Sequence, residues 1–238
     1  MNRPKISVAM AVYNGEKYLC EQIDSILLQL GDSDELIISY NESNDSSLEI
    51  IESYAKKDSR VHIVQCKESG VIPNFENAIN YCNNELIFLA DQDDVWNTKK
   101  VKVMASYFKD NKIGCVVHRY ELVDSDLKII KTRIPNGETQ KLIKPINIIL
   151  RNEAQGSCMA FRKEYLKSIL PFPRNIPMHD SWIALVISKQ SKVLLILDRL
   201  ILYRQHENNV TARHHQKCKK MIVDRWQLVI NIIKRKIK

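Results

Sequence analysis

Residues 85–96 read "ELIFLADQDDVW". Leu86, Ile87, Phe88 and Leu89 form an unbroken apolar run, the pattern of a strand buried on both faces. Three carboxylates, Asp91, Asp93 and Asp94, follow within four positions. At about 4 Å and an effective dielectric near 20, each such pair repels by roughly 4 kcal/mol. A fold gains nothing by collecting that repulsion at the end of a buried strand, so a cation or a reaction is expected there. Asp91 and Asp93 stand two apart, which points both to one side of an extended segment. Hard cations such as Mg²⁺ or Mn²⁺ take oxygen ligands, often one or two carboxylates together with substrate phosphates. The stretch also fits the DxDxV pattern of haloacid-dehalogenase-type phosphatases, with Asp91 as nucleophile and Asp93 as acid/base. That motif normally follows the first strand of its domain; here it follows the fourth. An EF-hand loop does not fit, because position 95 is Val and no Gly follows.

Outward from this stretch, strands and helices alternate. "KISVAMAVY" (5–13) predicts a buried strand and Asn14-Gly15 a turn. Residues 16–30 have helical spacing, and 35–39 form a second strand. Asp45 can cap a helix through 47–57, and 61–65 is a third strand. Pro73 suits the first position of a helix ending near Cys82, and a helix over 98–109 follows the acids. Such alternation predicts an α/β domain with a Rossmann-like, mostly parallel sheet flanked by helices, its ligands at the carboxyl ends of the strands. Loops 13–15, 40–45 and 91–94 converge on that rim. Beyond residue 110 the pattern loosens: an extended stretch over 114–124, a helix over 144–152, a strand over 156–162, a helix over 179–190, and an edge pair within 193–206. No repeat or low-complexity linker interrupts residues 1–212, which predicts one domain with a nucleotide-binding half (1–110) and a second half (111–212).

The chain of 238 residues carries a net charge of +8. From Arg213 onward nine Lys/Arg face the single acid Asp224, so residues 1–212 sum to zero and the basic character belongs to the tail. Apolar residues at 222, 226, 229, 230 and 233 make 217–238 a basic amphipathic helix, suited to an anionic membrane surface or to packing on the domain. A nucleic-acid partner is not expected, since no recognition motif accompanies the charge. Six scattered cysteines without CxxC or zinc spacing read as buried apolar residues in a reducing compartment. With no run long enough to span a bilayer and no leader-like pattern in "MNRPKISVAM", a cytoplasmic location is the expectation.

Two further stretches carry candidate chemistry. In "PMHDSWIALV", Asp180 opens a helix, where an acid serves as a cap or, at a rim, as a general base. His179 beside it can tune that acid or simply pack. In "LYRQHENN", His206 is a polar group just past an apolar strand, flanked by Arg204 and Asn208.

In order and spacing, "ISVAMAVYNGEKYL", "LADQDDVW", "NEAQGSCMAFRKE", "HDSWIALV" and "LYRQHENNVT" resemble family 2 glycosyltransferases of the GT-A fold, over about residues 5–210. The nearest subset is the bacterial rhamnosyltransferase-like enzymes of O-antigen and capsule synthesis. The resemblance implies inverting transfer of a sugar, rhamnose among the candidates, from a nucleoside diphosphate donor. The receiving hydroxyl would sit on a growing surface polysaccharide borne by a polyprenyl-diphosphate lipid. It implies that Asp91 and Asp93, assisted by His206, hold a divalent metal (Mg²⁺ or Mn²⁺) and the diphosphate, and that Asp180 is the base. On the donor side it implies Val12, Tyr13, Asn14, Tyr40, Asn41, Gly70 and Asn74, with Asp91 and Gln92. Around sugar and acceptor it implies Gln155, Gly156 and His179, with Trp96 and Trp182 as walls of the cleft or plain core aromatics. An enzyme of this kind would work in the cytoplasm or against the inner face of the cell membrane.

The chain departs from the family pattern after the second strand. "YNESNDSS" replaces the usual "DDGSTD", so Tyr40 and Asn41 stand where an acid pair recognises the base ring. Asn41 can still accept a hydrogen bond and Tyr40 can stack, but a neutral acceptor binds less strongly than a carboxylate. Two alternatives stay open: the phosphatase, and a sugar-nucleotide-binding module without catalysis.

Overall fold

The structure is a computed structural model that describes residues 3–132, 139–151, 153–207, 209 and 218–235. The first half alternates as predicted. It runs β1 (Ile6–Val12), α1 (Leu19–Leu27), β2 (Glu35–Tyr40), α2 (Ser47–Lys57), β3 (Val61–Gln65), α3 (Val71–Asn80) and β4 (Leu86–Ala90). Then come β5 (Val95–Trp96), α4 (Lys100–Tyr107), β6 (Ile113–Val123), β7 (Ile129–Thr132), β8 (Lys141–Leu142) and α5 (Pro145–Arg151). A 3₁₀ turn (Gly156–Cys158) leads into β9 (Met159–Arg162), and a second (Lys163–Tyr165) into α6 (Leu166–Ile169). The chain continues through α7 (His179–Ser188), β10 (Lys192–Arg204) and α8 (Cys218–Lys234).

One sheet runs through both halves, in the order β3-β2-β1-β4-β9-β6-β10-β5. Strands β3, β2, β1 and β4 are mutually parallel, and so are β6 and β10. Only β9 reverses inside this block, antiparallel to both β4 and β6. From β1 the chain steps outward to β2 and β3, then returns to place β4 on the other side of β1. The strand order therefore switches between β1 and β4, which opens a crevice at their carboxyl ends. The acid stretch leaves β4 into that crevice.

Burial explains the arrangement. All five residues of β4 are fully buried, as are Ile6, Val8, Ala9 and Met10 of β1. Helix α1 turns Leu19, Ile23 and Ile26 inward, three or four residues apart. The N-cap of α2 is Ser46 rather than the expected Asp45, whose carboxylate instead accepts the Ser47 N–H at 3.0 Å from one residue earlier. Four of the five cysteines whose side chains are described are buried, and burial pushes the thiols of Cys82, Cys115 and Cys158 up, out of the reactive range.

Two expectations need correction. Residues 193–206 are not an edge pair but one long strand, β10, paired along β6 with register shifts near Arg199. No Gly, Pro or Asn offers a turn there, so a bulge absorbs the polar Asp198-Arg199 step while Arg199 pairs with Glu121 at 2.6 Å. The strand expected over 156–162 starts only at Met159, because Gly156–Cys158 coil into a turn. The boundary expected at 212–213, His214, His215 and the basic residues 236 and 238 lie outside the described residues.

Phe88 sits at the centre of this core with no exposure. Phe88→Ala should cost about 3–5 kcal/mol in urea unfolding. Leu28→Ala, at a side chain 79% exposed, should stay within about 0.5 kcal/mol.

Candidate active site

The loop after β4 is fixed at nearly every step. Gln22, buried on the inward face of α1, donates its amide to the Asp91 carbonyl at 2.5 Å. The Gln92 side chain imitates a strand: it accepts from the Tyr13 N–H and donates to the Tyr13 carbonyl, both at 2.8 Å. The Arg204 Nε donates to the Asp93 carbonyl at 2.9 Å, and the Arg204 backbone N–H to Asp94 Oδ1 at 3.1 Å. Ser25 Oγ accepts the Trp96 N–H at 3.0 Å. Arg204 is itself buried, pairing with Glu21 at 2.5 Å, donating to the Ser125 carbonyl and lying 4.4 Å over the Tyr18 ring.

So held, Asp91, Asp93 and Asp94 each place a carboxylate oxygen within 4.8 Å of the others. Burial, helped by the charges of Asp93 and Asp180, pushes the Asp91 carboxyl up to about 7. Burial also raises Asp94 well above the carboxylate range, with Asp93 and Asp91 adding to it. Lys100 opposes them: it is fully buried, 3.9 Å over the Trp96 ring, and donates to the Ser157 carbonyl at 2.7 Å. Burial draws its ammonium down to about 7. Asp94 Oδ2 is buried without a hydrogen-bond partner. Crowded hard-oxygen donors, raised proton affinities and an orphaned carboxylate oxygen fit a divalent cation. His206 meets this group through Asp93, with Nε2 2.9 Å from Oδ2. Asn209 also donates to that oxygen, at 3.3 Å.

The donor-side residues are laced together. Asn14 takes a left-handed conformation (φ 47°), donates its N–H to Ser43 Oγ at 3.0 Å and accepts the Asn44 N–H at 2.9 Å. The Val12 carbonyl accepts the Asn41 N–H at 3.0 Å and the Asn74 amide at 3.1 Å. Gly70 opens α3 at φ 121°, a conformation that favours glycine. Asn41 gives both amide hydrogens away, to the carbonyls of Cys66 (2.9 Å) and Glu68 (3.0 Å). Tyr40 is not presented for stacking: it is buried, and its hydroxyl accepts the Ser43 N–H at 3.0 Å. Gln92, with both ends of its amide bonded to Tyr13, clips two loops together.

Across the crevice, Asp180 opens α7. Its Oδ2 accepts the Gly156 N–H at 3.1 Å and its Oδ1 the Ser181 N–H at 2.5 Å. A side chain on Gly156 would lie 2.9 Å from His179 Nε2, which explains the turn and the glycine. His179 stacks on Phe75 at 4.0 Å, and burial holds its imidazole neutral, down to about 3. The two tryptophans are not cleft walls. Trp182, two residues along α7 from Asp180, points into the core and donates to the Ile169 carbonyl at 2.9 Å. Trp96 is 3% exposed beneath Lys100.

Gln22, Lys100, Ser157 and the clamp made by Arg204 escaped the sequence reading. One signal was available for Lys100: a lysine in the first turn of a helix opposes the macrodipole and needs a reason.

Comparison with known proteins places these features. The profile described as "Glycosyl transferase family 2" matches residues 7–170. The dTDP-rhamnosyl transferase RfbG of Shigella flexneri is 28% identical over 220 residues, covering 84% of this chain and 72% of the relative. The UDP-Glc:alpha-D-GlcNAc-diphosphoundecaprenol beta-1,3-glucosyltransferase WfgD of Escherichia coli is 22% identical over 218 residues, covering 90% and 83%. Other curated relatives are longer, and the chain spans 66%, 51% and 50% of three of them. The solved structure of S. aureus TarS residues 1–349 with UDP-GlcNAc superposes with a TM-score of 0.75 at 18% identity, covering 98% of this chain and 68% of that one. The fold is thus GT-A.

Two outcomes test the site. A proton competes for Asp91 below about pH 7, and loss of the Lys100 proton also favours a cation as pH rises, so both act in one direction. Mn²⁺ affinity in calorimetric titration should climb from pH 6 to 8 and then flatten. Arg204→Met strands the carbonyls of Asp93 and Ser125 at about 1–3 kcal/mol each. Urea unfolding should show a loss of at least about 2 kcal/mol, with weakened Mn²⁺ binding.

Proposed function

The chain belongs to glycosyl transferase family 2, and from that premise we propose that it is an inverting glycosyltransferase. It would move a sugar from a nucleoside diphosphate donor to a hydroxyl of a growing surface polysaccharide. The observation that carries this reading is that one short turn meets both groups: the Gly156 N–H bonds Asp180, and the Ser157 carbonyl bonds Lys100, whose charge lies within reach of the acid cluster.

Asp180 is the proposed base. Its carboxylate is oriented by the Gly156 and Ser181 N–H groups and by the Ser181 hydroxyl. The carboxylate takes the hydroxyl proton as the acceptor oxygen bonds to the anomeric carbon, and the bond from that carbon to the diphosphate breaks on the opposite side. Inversion follows from that in-line geometry. Asp91 and Asp93 would hold a divalent ion, Mn²⁺ or Mg²⁺, whose charge offsets the charge gathering on the leaving diphosphate. His206, bonded to Asp93, would orient that ligand. Val12, Tyr13, Asn14, Asn41, Gly70 and Asn74 would line the nucleotide, and Gln155 and Gly156 the sugar.

RfbG's name supports rhamnose as one donor sugar to test, and WfgD's name supports an acceptor on a polyprenyl diphosphate. Work on such an acceptor fits a cytoplasmic enzyme in peripheral contact with the inner membrane face through residues 217–238. Among the described residues no helix is long and apolar enough to cross a membrane. The phosphatase alternative finds no support in the family match.

Incubation with UDP-, dTDP- and GDP-sugars tests the reading. Release of nucleoside diphosphate should require Mn²⁺ or Mg²⁺ and vanish in Asp93→Ala. Asp180→Asn should keep donor binding yet lose transfer by about 100- to 10,000-fold. Transfer at the wild-type rate by Asp180→Asn would remove it from the base role.

A further inference from the structure

Of the thirteen large apolar side chains exposed among the described residues, eight lie on β8, α5 and α8. On α8 the buried residues are Leu228 and Ile232, one turn apart, and they face the domain. Arg225 donates to the Leu150 carbonyl at 2.7 Å, and Arg235 donates to the carbonyls of Leu170 and Pro171. The helix is therefore docked. Its opposite face carries Ile222, Trp226, Ile230 and Ile233, spaced four, four and three residues apart and 42–76% exposed. Neighbouring α5 adds Ile146 and Leu150, one turn apart and about half exposed. Exposed apolar side chains gathered on two neighbouring helices mark an interaction site.

Charge selects the occupant. Residues 213–238 hold a net +8 against a neutral remainder, with Lys220, Arg225 and Lys234 on α8 itself. Lys144 and Arg151 flank α5. A second copy docking through the same patch would bring two such basic tails face to face, at a repulsive cost. Apolar side chains including a Trp, bordered by Lys and Arg, match the boundary of an anionic bilayer.

We propose that α8 and α5 together form one face that docks the domain on an anionic lipid surface. Both helices pack against α7, whose first turn holds Asp180, so the docked face and the proposed base belong to one packed block. The consequence for reaching a lipid-borne acceptor rests on the transferase reading; the docking itself does not.

The test is flotation of the full chain with phosphatidylglycerol-containing vesicles and with pure phosphatidylcholine vesicles, without donor or metal. Binding is expected only to the anionic vesicles, with a blue shift of tryptophan emission that is lost in Trp226→Phe. About 0.5 M salt should weaken it. The pairs Ile146→Asp with Leu150→Asp on α5, and Trp226→Asp with Ile230→Asp on α8, should each reduce binding at least about tenfold. Their circular dichroism melts and Mn²⁺ affinity should stay unchanged. Equal binding to both vesicles, no binding to either, or indifference to the α5 pair would overturn the proposal. So would a dimer seen by light scattering that the same substitutions dissolve. Since no donor is present, failure here leaves the sugar-transfer chemistry untouched, and failure of transfer leaves this result standing.

Discussion

Mutual repulsion among Asp91, Asp93 and Asp94 is the constraint around which this domain is organised. Three carboxylates within 4.8 Å of one another stay together only because other parts of the chain hold their backbone. Gln22 comes from α1, Tyr13 from the end of β1, and Arg204 from the end of β10, 110 residues after Asp94 in sequence. Each donor is buried or anchored, so the loop is organised before any ligand arrives. Such preorganisation favours binding, because little order remains to be imposed.

Lys100 joins this arrangement to the other side of the crevice. Its ammonium, within the electrostatic reach of Asp94 and Asp91, donates to the carbonyl of Ser157, one residue after the glycine whose N–H holds Asp180. The buried lysine also explains why α4 tolerates a basic first turn. Burial draws its ammonium down to about 7 despite the nearby acids, which lessens the charge it sets against the helix dipole.

The fold was legible where periodicity and burial agree. The β4 run and the inward stripe of α1 could be read because apolar spacing alone dictates them. The acid cluster could be read because its electrostatic cost has no structural excuse. What could not be read were the long-range partners. Nothing near Arg204 in sequence signals that it clamps Asp93, since contacts across the sheet depend on register. Trp182 was misplaced because a helix turns by about 100° per residue: with Asp180 at the crevice, the residue two further along faces away. The β10 bulge was missed because a charged pair inside an apolar run looks like a turn until its neighbouring strand supplies a counter-charge.

Asn41 shows how a departure from a family pattern becomes built in. Both of its amide hydrogens are committed to the carbonyls of Cys66 and Glu68, and they tie the end of β2 to the segment after β3. A carboxylate at that position would point an oxygen at those two oxygens. An acid placed at position 41 alone would therefore face two carbonyls with no hydrogen to offer, and the segment after β3 would have to move with it.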